Sequence, residues 1–268
     1  MAQGLTLAPL TDVDIGAIAA AAIALVAYRT RSLDLGGALA AFVVGTVTYG
    51  ALALPGAAVL LGFFATSVGL SLVGRGRKHA VLVDVDKTGA RDAAQVLANG
   101  GIAALCALLA HLVAPRYGLA FAGAFAAATA DTWGTEIGTL VRRAPRSILT
   151  FKPIATGLSG GVTLAGTLAE VAGAAFIAAI AATTTGSGMR GFAIVAIAGT
   201  FGAVVDSLLG ASVQALRWCP QCRRATEREP HVCGANTSPL RGLSWFRNDA
   251  VNAAATLVGA VTALALGS

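Results

Sequence analysis

The chain has 268 residues, of which 56% are hydrophobic and only 12% are charged, and its mean hydropathy is +0.75. Soluble domains carry about 25% charged residues, so this composition excludes a soluble globular protein and predicts an integral membrane protein. The 33 glycines favour a compact bundle, because small residues let transmembrane helices approach closely. The formal net charge of +6 indicates a charged membrane face or an anionic substrate, and not nucleic acid.

Apolar stretches of about bilayer length predict an all-α polytopic membrane protein with eight transmembrane helices. The spans are predicted at 13–28, 35–50, 54–73, 92–113, 118–141, 159–182, 191–216 and 249–267. We expect a single membrane domain over residues 1–268, with a small Cys-rich cytoplasmic loop at 217–247.

The basic residues support this count and give an orientation. All but Arg116 and Arg190 of the 19 Lys and Arg residues fall in the first, third, fifth and seventh loops. The positive-inside rule places those loops in the cytoplasm and both termini outside. We therefore expect a bacterial-type plasma membrane protein whose polar site faces the cytoplasm.

Short segments of three odd-numbered spans align without gaps, at 65–71, 130–136 and 205–211. The even-numbered spans begin with small or polar residues. This pattern predicts repeated helical hairpins in one orientation, an arrangement known in membrane proteins. Coincidence in a chain rich in alanine and glycine is the alternative.

Two predicted spans carry carboxylates near their cytoplasmic ends: Asp131 and Glu136 in the fifth, and Asp206 in the seventh. A charge in the bilayer centre costs about 2.5–3.5 kcal/mol, so such residues commonly serve a function. Carboxylates suit Mg²⁺, which prefers oxygen ligands, and these three acids predict a magnesium site. Polar side chains on the same or neighbouring helix faces are Thr132, Thr135, Ser207 and Gln214. Taken singly, Thr132, Ser207 and Gln214 are better explained by hydrogen bonds between helices.

Residues around the starts of the fourth, sixth and eighth spans predict a phosphate-binding surface. They are Lys87, Arg91, Asp92, Gln95 and Asn99, then Lys152, Ser159, Gly160 and Gly161, then Asn248, Asp249 and Asn252. A helix N-terminus with glycines and a nearby lysine favours an anion. The Walker pattern GxxxxGK[ST] is absent from the sequence. Many Lys and Arg side chains near helix ends only contact lipid head groups, which is the alternative for the loop arginines.

The loop at 217–247 contains Cys219, Cys222, His231 and Cys233, spaced C-x2-C-x8-H-x-C. This pattern offers four ligands for a structural zinc ion in a reducing compartment, where a disulfide is disfavoured. Its second half is tighter than in usual zinc ribbons, and free thiols are the alternative. Cys106 lies alone in the fourth span and is interpreted as a small core residue.

Five segments in order carry a family resemblance: DKTGARDAAQVLANGG at 86–101, ADTWGTEIG at 130–138, LSGGVT at 158–163, GAVVDSLLGASVQ at 202–214, and CPQC, HVCG and GLSWFRNDAVN between 219 and 252. Together they resemble the integral-membrane family that contains the plant chloroplast phytyl-phosphate kinase. The resemblance implies transfer of a phosphoryl group from a nucleoside triphosphate, in particular CTP, to an isoprenyl monophosphate, as in phytol salvage towards tocopherol. It implies catalytic roles for Asp131, Glu136, Asp206, Lys87 and Arg91, with Mg²⁺ as cofactor.

Two other classes of function remain open from the sequence. Intramembrane carboxylates are also typical of ion-coupled transporters. Clustering of the polar residues on one side of the membrane, and basic loops that suit phosphate, count against that class. The other alternative is a CTP-dependent polyprenol kinase or a lipid cytidylyltransferase, which the same residues do not exclude.

Overall fold

Helices make up most of the computed structural model, which describes residues 11–87, 89–141 and 143–268. The described helices are α1 (Asp12–Arg29), α2 (Leu35–Leu72), α3 (Arg75–Val81), α4 (Ala93–Leu112), α5 (Tyr117–Gly138), α6 (Leu164–Thr185), α7 (Gly188–Ser212) and α8 (Asn248–Gly267). The described strands are β1 (Arg146–Ser147), β2 (Gly161–Val162), β3 (Leu216–Cys219), β4 (Arg224–Thr226) and β5 (Ser238–Arg241). Arg142, one of the predicted loop cations, lies outside the described residues.

The prediction of a polytopic helical membrane protein is confirmed. Among the described residues, α2, α4, α6, α7 and α8 are each long and apolar enough to cross a membrane. The count of eight spans additionally needs α1, α5 and the two halves of α2 as separate spans, and it stays a prediction.

Helix α2 is 38 residues long and contains one non-helical residue, Ala53, with φ 48° and ψ −140°. Pro55 follows two residues later, and a proline lacks the N–H that an intrahelical bond needs. The break predicted between the second and third spans therefore lies here as a kink in one continuous element.

Side-chain caps fix where the helices that surround the candidate site begin. Asp92 accepts a hydrogen bond from the Gln95 N–H at 2.9 Å, and the Gln95 side chain accepts one from the Asp92 N–H at 3.1 Å. Thr163 caps α6 through the Gly166 N–H at 3.0 Å. The prediction that the sixth span starts at residue 159 was wrong, because residues 159–160 form a turn and residues 161–162 form β2 before α6 begins at Leu164.

Helix α5 is the centre of the bundle and packs against α2, α4, α6, α7 and α8. All residues from Ala120 to Ala130 are buried, and Phe125 packs against Phe63 and Phe121 with ring centroids 5.4 and 5.2 Å apart. Seven of these buried positions are alanine, which lets the neighbouring helices approach closely. Because protein surrounds it, α5 can carry polar residues at its C-terminal end without exposing them to lipid.

The Cys-rich segment folds as a three-stranded antiparallel sheet in the order β4-β3-β5. It contacts the loop after α3 through the carbonyl oxygen of Asp84, which accepts hydrogen bonds from the Glu227 N–H at 2.8 Å and the Thr226 hydroxyl at 3.2 Å. This contact places the sheet over the end of the bundle where α5 and α7 finish.

Candidate functional site

A cavity of about 500 Å³ lies where α5 and α7 end and α4, α6 and α8 begin. Most of the residues predicted for the site line it. They are Lys87, Arg91, Gln95, Asn99, Asp131, Thr132, Thr135, Glu136, Ser159, Gly160, Gly161, Asp206, Ser207, Asn248 and Asn252. Residues far apart in the chain thus meet in a single polar chamber.

Four predicted residues lie outside the lining of this cavity: Asp92, Lys152, Gln214 and Asp249. Asp92 caps α4 and Asp249 lies in the first turn of α8, and both bind Lys87. Gln214 is buried below the end of α7, and Lys152 is exposed on the loop before β2. Asp92 and Asp249 therefore position Lys87, and Lys152 lies away from the cavity.

Three carboxylates form the deepest polar feature of the cavity: Asp131 on α5, Glu170 on α6 and Asp206 on α7. Asp206 lies close enough to the other two for mutual repulsion. Within the described residues, no hydrogen bond or ion pair joins any of the three to another side chain, and the Asp206 Oδ2 atom is buried without a partner. Three neighbouring carboxylates favour a bound cation, and their oxygen atoms suit Mg²⁺.

Gly134 makes room for the third carboxylate. A Cβ atom added at Gly134 would lie 2.5 Å from the Cγ and 2.7 Å from the Oε1 of Glu170. The Glu170 side chain therefore lies directly on the backbone of α5, one turn after Asp131. A larger residue at position 134 would displace it.

Glu136 pairs with a cation and also lies close enough to Asp131 for mutual repulsion. Its side chain forms an ion pair with Lys78 of α3, and the Lys78 ammonium also donates to the Leu70 carbonyl at 2.7 Å. Lys78 is buried, with 5% of its surface exposed. The pair joins α3 to α5 at the cavity wall, and it was not predictable from sequence because the two residues are 58 positions apart.

The segment Ser159–Gly160 forms the wall opposite α4. The Ser159 N–H and hydroxyl both donate to Glu227 Oε1, at 3.0 and 2.6 Å. Burial raises the pKa of Glu227, and these two hydrogen bonds act in the opposite direction. The Glu227 carboxylate thus occupies backbone and hydroxyl donors of the kind that bind phosphate oxygens.

Gly160 is required at its position for two reasons. Its φ is +81°, in the left-handed region that favours glycine, and a Cβ atom there would overlap Ala211 of α7. Gly210 meets the same segment from the other side, since its own Cβ would lie 2.9 Å from the Gly160 nitrogen. This close approach holds the segment against α7, one turn beyond Asp206.

Two basic residues before α4 differ in their partners. Lys87 donates to Asp92 at 2.6 Å and to Asp249 at 2.5 Å. Partial burial acts to lower the pKa of Lys87, but the bonds to Asp249 and Asp92 outweigh it and raise the pKa. Lys87 therefore joins the starts of α4 and α8. The Arg91 guanidinium lines the cavity, and burial lowers its pKa against the attraction of Glu136.

A second candidate site lies in the Cys-rich segment. Cys219, Cys222, His231 and Cys233 each bring a ligand atom to within 4.8 Å of the others. Two sulfur ligands of a tetrahedral zinc ion lie about 3.8 Å apart when each Zn–S bond is about 2.3 Å, and the Sγ atoms of Cys219 and Cys233 are 3.7 Å apart. The hydrogen bond with His231 lowers the pKa of the Cys233 thiol to about 6, which favours the thiolate. The four residues therefore fit zinc.

Asp84 holds the histidine of this cluster. Its Oδ1 atom lies 3.1 Å from His231 Nε2, while His231 Nδ1 faces the Cys233 sulfur at 3.1 Å. A carboxylate behind a ligating histidine commonly fixes the ring and its tautomer in zinc sites. Arg224 forms an ion pair with the same carboxylate.

Sequence reasoning missed three residues that line the cavity: Lys78, Glu170 and Glu227. Glu170 had a usable signal, because it is an acid in the apolar span 159–182 and the argument for Asp131 applies to it equally. Lys78 and Glu227 lie in predicted loops among other charged residues, and their pattern offers no such signal.

Comparison with known proteins identifies relatives over most of the chain. The profile of the integral membrane protein family DUF92 matches residues 18–260. Protein PGR of Arabidopsis thaliana is 33% identical over 257 residues, which cover 86% of this chain and 87% of the relative. An uncharacterized membrane protein of Methanocaldococcus jannaschii is 32% identical over 198 residues, 70% of this chain and 78% of the relative.

A more distant relative is Protein VTE6, chloroplastic, of A. thaliana, which is 24% identical over 238 residues, 87% of this chain and 64% of the relative. No solved structure matches the chain. The profile covers all five sequence motifs, so the resemblance seen in those motifs is confirmed at the level of the family. The chain therefore belongs to the integral membrane protein family DUF92.

Proposed function

We propose that this protein is an isoprenyl-phosphate kinase, which transfers the γ-phosphoryl group of a nucleoside triphosphate, in particular CTP, to an isoprenyl monophosphate. The observation that carries the proposal is the meeting of three unpartnered carboxylates with phosphate-type donors in one chamber at the end of an apolar bundle. A lipid phosphate has the matching form, a charged head on a chain that stays in the bilayer. The resemblance to the family of the plant phytyl-phosphate kinase supports the same substrate class.

The proposed reaction needs no strong general base. An oxygen of the lipid monophosphate attacks the γ-phosphorus, the bond from that phosphorus to the β–γ bridging oxygen breaks, and the nucleoside diphosphate leaves. The acceptor is already largely ionised near pH 7, because the second pKa of a phosphate monoester is about 6. Positioning and charge neutralisation dominate such transfers. This fits a chamber whose described lining contains no histidine.

Asp131, Glu170 and Asp206 are the residues that would hold Mg²⁺, which supplies positive charge to the triphosphate. Asp131 and Asp206 follow from the sequence, and Glu170 is added on the geometry. Glu136 was expected to be a further ligand; because it pairs with Lys78, we propose that it holds that cation at the cavity wall.

Two groups of donors would bind the phosphates. Arg91 and Asn99 lie at the α4 side of the chamber, and the Ser159–Gly160 segment lies opposite them. The Glu227 carboxylate must leave the Ser159 N–H before an anionic oxygen can take its place. The positive-inside distribution of basic residues supports a cytoplasmic position for this chamber, where a nucleotide is available.

We also propose that the Cys-rich segment binds a structural zinc ion through Cys219, Cys222, His231 and Cys233. The 3.7 Å sulfur–sulfur distance and the converging ligand atoms support it. Metal analysis of the purified protein should give about one zinc per chain, and Cys219→Ser should lose it. Equal zinc in the variant and the native chain would exclude this site.

Purified protein in lipid nanodiscs tests the kinase proposal directly. With Mg²⁺, CTP and phytyl or geranylgeranyl monophosphate it should form the lipid diphosphate and CDP, and Asp131→Asn should abolish turnover. Asp14→Asn is the matched control, because that carboxylate is exposed in the first turn of α1, outside the cavity lining. Failure to convert any prenyl monophosphate with any nucleotide refutes the proposal. A lipid alcohol as acceptor, or release of pyrophosphate, would instead indicate a polyprenol kinase or a cytidylyltransferase.

A further inference from the structure

A second, apolar cavity of about 110 Å³ lies beside the polar chamber, between α1, α2, α4 and α5. Most of the side chains that form its walls are apolar. They include Ala24, Ala27, Ala41, Val44, Phe63 and Phe64. We call this space the apolar groove.

The apolar groove and the polar chamber share a boundary. Arg91, Gln95, Asn99 and Thr132 line both spaces. Of these, the Thr132 hydroxyl donates to the Ala128 carbonyl at 2.8 Å, and the Asn99 amide donates to the Gln95 carbonyl at 2.9 Å. A molecule with a polar head and an apolar body can therefore occupy both spaces at once.

Arg91 stands at this boundary as a cation without a hydrogen-bonded partner among the described residues. Its backbone is fixed, because its N–H donates to the Ser32 carbonyl and its carbonyl accepts from the Asp34 N–H, both at 3.0 Å. A partly buried guanidinium favours an anion, and its fork of donors matches phosphate oxygens. Because this backbone is fixed, the Arg91 guanidinium lies where the apolar groove meets the polar chamber.

The apolar groove is short and opens sideways. An apolar cavity of about 150 Å³ holds one benzene molecule, so a groove of about 110 Å³ encloses about one five-carbon isoprene unit. Ile23 and Leu61 line it and are nevertheless 39% and 42% exposed, so they mark an opening on the outer surface of the bundle. That surface faces lipid in a membrane protein.

We propose that the apolar groove binds the isoprene unit next to the phosphate of the lipid substrate, with the phosphate at Arg91. The rest of the chain leaves between Ile23 and Leu61 and stays in the bilayer. This inference rests on the proposed function only for the choice of a lipid phosphate as ligand. It makes the protein selective for a branched unit beside the phosphate and tolerant of chain length, because only the first unit is enclosed.

Photo-crosslinking tests the location without any turnover. The probe is geranylgeranyl monophosphate with a diazirine on its first isoprene unit, added to the native chain in nanodiscs without nucleotide. We expect labelled peptides from α1, α2 and α4 at the apolar groove, and competition by unlabelled phytyl monophosphate. Labelling that maps elsewhere on the native chain overturns the proposal, whether or not the kinase reaction is found.

Matched variants of α2 then test the enclosure. Ala41→Phe places a ring in the apolar groove, whereas Val43→Phe places it on the outer surface, where Val43 is 54% exposed. We expect Ala41→Phe to lower crosslinking at least tenfold and Val43→Phe to leave it unchanged. Equal labelling of the two variants, both checked for an unaltered melting temperature, contradicts the proposal.

If the kinase reaction is observed, substrate length gives a second measurement. Geranyl, farnesyl and geranylgeranyl monophosphates presented in the same bilayer should have similar kcat/KM, and a straight-chain alkyl phosphate should be at least tenfold poorer. A steep rise with each added isoprene unit would show that the protein encloses the whole chain, which refutes the short groove. If the probe crosslinks at the apolar groove but the protein shows no turnover, the kinase reaction is refuted and the binding site is still supported.

Discussion

The Lys78–Glu136 pair makes a prediction that separates a structural role for Glu136 from a metal-binding one. Lys78→Met keeps the length of the side chain and removes its charge. Because Lys78 is 5% exposed and the Glu136 side chain 19%, the remaining carboxylate would stay mostly buried without a partner. Breaking one side of a buried pair costs roughly 3–5 kcal/mol, and the exposure of Glu136 favours the lower value. For a chain of this size that corresponds to a melting temperature lower by roughly 6–12 °C.

A double-mutant cycle measures the coupling. Thermal unfolding in detergent is recorded for the native chain, Lys78→Met, Glu136→Gln and the double variant. We expect the double variant to be more stable than the sum of the single changes predicts, with a coupling of roughly 2 kcal/mol. Arg247→Gln is the control for the exposed pair with Glu229, whose side chains are 46% and 45% exposed, and should cost less than about 1 kcal/mol.

Additive single changes would refute this reasoning. So would a shift of less than about 2 °C in Lys78→Met, because that is the scale of less than 1 kcal/mol. A different result would support the metal-binding role that the sequence predicts for Glu136. If Mg²⁺ raises the melting temperature of the native chain and Glu136→Gln alone abolishes that rise, Glu136 is a metal ligand.

Three further predictions follow from the two sites. Glu170→Gln should lower turnover at least about 10²-fold and abolish stabilisation by Mg²⁺, measured by melting temperature with and without the ion. Gly160→Ala should lose activity and more stability than Gly186→Ala, because both have positive φ but only the first added methyl group meets another helix. Asp84→Asn should weaken zinc binding about 10–100-fold in chelator competition, with Asp86→Asn as the unaffected control.

The sequence predicts the helices well because apolar length is a direct requirement of the bilayer. The fourth span was expected at 92–113 and α4 is Ala93–Leu112, and the eighth was expected at 249–267 and α8 is Asn248–Gly267. The start of the sixth span failed for a physical reason. Residues 159–163 are small or uncharged, but Gly160 has a positive φ in a turn, and the pairing of β2 with β1 keeps the next two residues out of the helix.

The acidic residues of the candidate site were predictable where a charge interrupts an apolar run. Asp131 and Asp206 stood out on that criterion, and Glu170 would have done so had it been applied to the sixth span. Partners were not predictable, because a pair such as Lys78 and Glu136 depends on how α3 folds back onto α5. The role of each remaining residue is still a prediction.

The two candidate sites are also joined by a continuous set of contacts. His231 is held by the Asp84 carboxylate, and the Asp84 carbonyl accepts from the Glu227 N–H at 2.8 Å. The Glu227 side chain in turn accepts both hydrogen bonds from Ser159. The loop has little hydrophobic core, so the proposed metal cluster would add to these contacts and serve as its core. We expect a bound metal to help fix the Glu227 carboxylate, which occupies the Ser159 N–H.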